Sequence, residues 1–132
     1  MPIEAPASTP YRLVCGVPRR RIEVRGGEIS KGRSVREPLA PYLRERMSRL
    51  PGAYGCLTAQ FFVGHDWDSV AEPVLGIEVN PRFGGGYPLT DHVGGEYVSW
   101  LLEECLTGAS RPYTEDWRDG VTMLRYDEAV YF

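Results

Sequence analysis

Cysteine is scarce in this 132-residue chain, and Cys15, Cys56 and Cys105 form no CxxC pair. That argues against a disulfide scaffold or a zinc finger and points to a reducing compartment, the cytoplasm. The two histidines, His65 and His92, stand far apart and outside any HExxH spacing, so no zinc site is built from them. Lysine is rarer still: Lys31 is the only one among fifteen basic residues. No apolar run approaches the roughly 20 residues of a membrane span. Met1 to Pro10 has no apolar core of a signal peptide. The P-loop pattern, the Rossmann fingerprint and the GxSxG elbow are all absent. Nor is there the basic and aromatic alternation that binds single-stranded nucleic acid.

What remains is an ordinary globular mixture, 42% hydrophobic and 25% charged, enough for one domain with a core of its own. The charge is divided. Residues 1–50 carry a net +6 and residues 51–132 a net −9. Such halves can face each other, or leave an anion-attracting surface beside a metal-attracting one.

Proline at positions 2, 6 and 10 makes 1–10 an irregular leader, with one unit over 11–132. Tyr11 to Val17 reads as a strand. Arg19 to Arg25 reads as a second, turning at Gly26-Gly27 into a return strand over Glu28 to Lys31, with Gly32 to Arg36 as loop. Pro38 suits a helix start, and Leu39, Tyr42, Leu43, Met47 and Leu50 follow at helical spacing up to Pro51-Gly52. Cys56 to Val63 and Val74 to Val79 predict an antiparallel strand pair around a polar turn at His65 to Ser69. A helix is expected from Asp91 to Leu106, then strand-like stretches over Val121 to Tyr126 and Ala129 to Phe132. The class is α+β, an antiparallel sheet with packed helices. Cys56 and Cys105 fall in apolar segments and read as core.

Glu78 and Asn80 are the sharpest feature. They alternate with Ile77 and Val79, so the oxygen-bearing side chains share one face while the aliphatic ones are expected to fill the core. Hard divalent ions take such oxygen ligands, with nucleotide phosphates completing the shell. Gln60 on the preceding strand offers a third oxygen if the strands pair. The same spacing also suits an edge strand with solvated polar residues. Arg82 and the glycines Gly84, Gly85 and Gly86 follow at once: an arginine fork clamps phosphate or carboxylate, and glycine permits close backbone approach. Arg19 and Arg21 should share a face opposite Arg20, as a second anion site or a solvated strand. Lys31 has the reach for a phosphoryl group.

The run Gly76-Ile77-Glu78-Val79-Asn80-Pro81-Arg82-Phe83-Gly84-Gly85-Gly86-Tyr87-Pro88-Leu89 resembles the metal-binding end of ATP-grasp enzymes, in the branch of the carbamoyl-phosphate-synthase large chain and similar carboxylate ligases. Val17 to Val24 with Gly27 to Gly32, and Leu124 to Asp127, resemble that branch's hairpin and closing strand. The likeness spans about Tyr11 to Phe132 and implies the C-terminal subdomain of that fold. It implies that Glu78, Asn80 and Gln60 hold magnesium, or manganese, on the phosphates of ATP. Arg82 and Lys31 would serve the transferring phosphoryl group, with Arg19, Arg21, Gly84 and Gly85 at the nucleotide. The implied reaction joins a small-molecule carboxylate to an amine. Only the C-terminal part of such an enzyme is represented, so a separate N-terminal half is an implied partner, with a homodimer expected for the chain alone. A non-catalytic structural or regulatory protein on the same scaffold is the alternative.

Overall fold

The computed structural model describes residues 12–64 and 74–132. In chain order they form β1 (Arg19–Arg25), β2 (Glu28–Ser34), α1 (Leu39–Met47), β3 (Thr58–Phe62), β4 (Leu75–Asn80), α2 (Tyr87–Val93), α3 (Tyr97–Thr107) and β5 (Thr122–Leu124). This is a small α+β domain with two antiparallel sheets, β1-β2-β5 and β3-β4. The leader, the turn at His65 to Ser69 and Trp67 lie outside the described residues.

Gly26 and Gly27 both have positive φ, 58° and 83°, which glycine alone takes without steric cost, and they close the β1–β2 hairpin. Arg19 lies opposite Ser34, Arg20 opposite Arg33 and Arg21 opposite Gly32. Ser30, Gly32 and Ser34 are buried while Lys31 and Arg33 are exposed, so the sheet has one dry face and one wet one. Arg19 and Arg21 therefore share the inner face and Arg20 the outer, as expected. The return strand runs on past Lys31 through Ser34, where a loop was expected. Gly32 serves the ladder because the Ile29 side chain closes over it; a Cβ there would sit 3.1 Å from Ile29 Cγ2.

The core gathers Cys15, Ala40, Leu89, Val93 and Trp117, with Val17, Tyr97, Trp100, Val121 and Met123 packed against it. Residues 12–17 are not a strand; their apolar residues serve this core instead. An irregular segment near the C-terminus is tied in by side chains. The fully buried Ser34 hydroxyl donates to the Arg118 carbonyl (2.9 Å) and accepts from the Val121 amide (3.0 Å). Arg36 donates to the carbonyls of Glu115 (2.6 Å) and Trp117, and its guanidinium lies 4.3 Å from the Trp117 ring centre.

The single helix expected over Asp91 to Leu106 is two helices. Gly94, at φ 117°, ends α2, and Gly95 fits only without a side chain, since a Cβ would stand 2.6 Å from Thr90 Cγ2. Tyr87 bridges the break: its hydroxyl donates to Asp91 (3.0 Å) and accepts from the Val98 amide (3.2 Å). Likewise α1 ends at Met47, short of Pro51. Ala129 to Phe132 is exposed and carries no strand. Cys105 is exposed rather than core, and Cys56 is half-buried.

Ile77 and Val79 were expected inside but are 50% and 46% exposed. Among the described residues the β3–β4 ribbon has two strands, so alternation divides its side chains between two faces, and no described element seals the one bearing Val79. A bulge adds to this: the register passes from Gln60 opposite Glu78 to Phe61 opposite Gly76, leaving Ile77 unpaired.

Candidate functional site

The register of β3 on β4 sets Gln60 directly opposite Glu78 and Thr58 opposite Asn80. Directly opposed residues share a face, as do positions two apart. Gln60, Glu78, Asn80 and Thr58 thus form one oxygen-bearing patch, the convergence expected from spacing. Arg21 reaches this face from β1: its Nη1 donates to Gln60 Oε1 at 2.9 Å. A guanidinium held at the edge of this patch by an amide oxygen suits an anion bound next to it.

The loop after β4 is folded tightly. The Arg82 amide donates to the Asn80 carbonyl (2.8 Å), and Thr58 Oγ1 donates to the Arg82 carbonyl (2.8 Å). Gly84 lies so close to Thr58 that a Cβ there would stand 2.8 Å from its Cγ2. Gly86 is closed in by the hairpin, a Cβ meeting Ile29 Cδ1 at 2.8 Å and Arg19 Nη1 at 3.0 Å. Gly84 and Gly86 are closed in because Thr58 of β3 and Ile29 of β2 occupy the space a side chain would need, whereas Gly85 has ordinary room beside Glu28. Arg125 completes the tie, its Nη1 donating to the Gly85 carbonyl (3.0 Å) and pairing with Glu28 (3.2 Å). Sequence reasoning missed this role of Arg125, which no local spacing reveals across 40 residues.

Arg19, Arg21, Gln60, Arg82, Gly84 and Gly85 line one broad groove between the hairpin, α1 and the ribbon. Glu78 and Asn80 are not among its lining residues, though Glu78 is paired with Gln60, which is. Lys31 is not brought to this site. It stands on the wet face of its sheet, paired with Glu23 at 2.6 Å. That contact and the Ser30 hydroxyl hold the Glu23 carboxyl below its ordinary value.

Burial holds the Arg19 guanidinium below the usual arginine range, opposed by Tyr97 and Cys56. Desolvation pushes the Cys15 thiol up to about 11, with Tyr97 hydrogen bonding partly opposing it. Cys56 is raised by burial too. Neither thiol is poised as a nucleophile.

The donor set answers the metal expectation in chemical terms. Among the described residues no three His, Cys, Asp or Glu side chains gather. Among the described residues Glu78 is the only carboxylate on this face of the ribbon, and Gln60, Glu78, Asn80 and Thr58 by themselves form no closed cage. They fit magnesium of the kind held by one carboxylate with substrate phosphates supplying most of the shell. No known family model matches the chain, and no curated protein shows significant similarity to it.

Proposed function

We propose that this chain is the C-terminal, metal-binding part of an ATP-dependent carboxylate–amine ligase of ATP-grasp type. The observation that carries the reading is the alignment of Gln60, Glu78 and Asn80 on one face with Arg21 hydrogen-bonded to it. Glu78 would hold magnesium, with Asn80 and Gln60 as amide oxygens. Bound there, the ion would neutralise phosphate charge. Arg82 would orient the phosphate oxygens, the tied glycine loop would keep it in place, and Arg21 would position Gln60 through its hydrogen bond. In the reaction the substrate carboxylate oxygen attacks the terminal phosphorus and ADP leaves with the bond's electron pair. The amine then attacks the acyl carbon, phosphate leaves with its electron pair, and the amine gives up a proton. Lys31 has no part in this account, because its ammonium is engaged by Glu23.

A partner is part of the proposal. Phe62, Leu75, Ile77 and Val79 leave apolar surface on the ribbon, and exposed apolar patches mark interaction surfaces. A separate N-terminal half, or a second copy when the chain is alone, would cover it.

Calorimetric titration with ATP in the presence and absence of magnesium tests the reading. Binding should need magnesium and weaken at least about tenfold in Glu78→Gln, while the fold stays intact. Equal binding with and without magnesium, or in the variant, would contradict it.

A further inference from the structure

The groove's composition is lopsided: among the described residues seven arginines and two glutamates line it, with neither lysine nor aspartate. Most of these arginines are occupied. Arg21 is spent on Gln60, Arg111 on Glu103 (2.8 Å), and Arg44 stacks 3.8 Å from the Tyr113 ring centre. Arg19 differs. It faces the groove from the inner side of the hairpin, and among the described residues no carboxylate pairs with it. A cation withdrawn from water without a counter-charge is costly, and an anionic ligand removes that cost.

The rest of the wall is apolar. From α1, Leu39, Leu43 and Met47 recur every fourth residue and line the groove together. Leu57 and Phe61 face them from around β3. Charge selects an anion, and hydrocarbon walls select an apolar body. A bare phosphate would leave those walls wet.

We propose that the groove binds an organic acid with an extended apolar body, its carboxylate at Arg19 and its hydrocarbon part along Leu43, Met47, Leu57 and Phe61. As the acid to be activated, this ligand rests on the ligase reading; as a binding site, the groove stands without it. Gln60, Arg82 and Gly84 line the same groove, so the acid would lie next to the phosphoryl centre, whose Glu78 is paired with Gln60 across the ribbon.

Octanoate, butyrate and octylamine are the probes, titrated separately into the full chain and followed by amide NMR shifts. Each buried methylene is worth about fourfold in affinity, so octanoate should bind at least about tenfold tighter than butyrate, with shifts on α1 and β3. Octylamine should not shift those residues. Arg19→Gln should weaken octanoate about fivefold or more, and Arg19→Lys should weaken it less. Met47→Asp, which places a negative charge in the apolar wall, should weaken octanoate with Arg19 intact. Equal affinity for octanoate and butyrate, equal binding of octylamine, or indifference to both Arg19→Gln and Met47→Asp would overturn the proposal. So would sedimentation showing the groove filled by a second copy that octanoate does not displace. A magnesium-ATP titration on the same preparations separates the two claims. Octanoate failing while nucleotide binds overturns only the groove. Nucleotide failing while octanoate binds overturns only the ligase.

Discussion

The sheet around β2 and the ribbon of β3 and β4 are both antiparallel, but they are built for different ends. The first is sealed along β2, where Ser34 and the following Arg36 bind the irregular segment through Arg118, Trp117 and Glu115. The second has half-exposed strands and carries the oxygen-bearing side chains. On the proposed reading, stability is made chiefly in the first region and the metal ligands are presented by the second. Polar groups that must meet a ligand cannot also be satisfied inside a core. The two meet where Arg21 reaches Gln60 and where the glycine loop lies against the hairpin.

Substitutions in the two regions should separate folding from binding. The largest effect is expected at Leu89, 2% exposed in the core, where alanine should cost about 3 kcal/mol in urea unfolding. Ser34→Ala comes next, at about 2 kcal/mol, since it orphans the Val121 amide and the Arg118 carbonyl. A cost under about 0.5 kcal/mol would show that this region is less tightly tied than described. In the ribbon, Gly84→Ala should cost roughly 1 kcal/mol, because Thr58 must turn away and release the Arg82 carbonyl. It should also weaken nucleotide binding, with Thr58→Ala restoring part of both.

Which of these features the sequence made legible follows from how local each one is. The hairpin turn, α1, and the facing of Arg19 and Arg21 rest on glycine pairs and periodicity, and they were readable. So was the convergence of Glu78, Asn80 and Gln60, since alternation and strand pairing suffice. The break between α2 and α3 was missed because an apolar helical period ran through Gly94-Gly95 and outweighed it. The exposure of Ile77 and Val79 was missed because alternation predicts two faces but not whether anything covers the second. Arg125 and Arg36 act on partners about 40 and 80 residues away, beyond any local pattern.

The smallest effect expected is acidic. Glu23 is held below its ordinary value of 4.5 by Lys31 and Ser30. Its folded pKa is depressed, so its contribution is present above about pH 4.5 and is lost as pH falls through the folded value. Wild type should therefore lose slightly more stability than Glu23→Gln between pH 6 and 3. A parallel decline would show that the exposed pair contributes nothing, and would leave the contrast between the two regions untouched.

The most direct test replaces magnesium by paramagnetic manganese and follows amide line broadening with and without ATP. The account predicts ATP-dependent broadening centred on Gln60, Glu78 and Asn80, extending to Arg21, and lost in Glu78→Gln. Broadening that is independent of ATP, that centres on the acidic end of α3 at Glu103 and Glu104, or that persists in Glu78→Gln would contradict it.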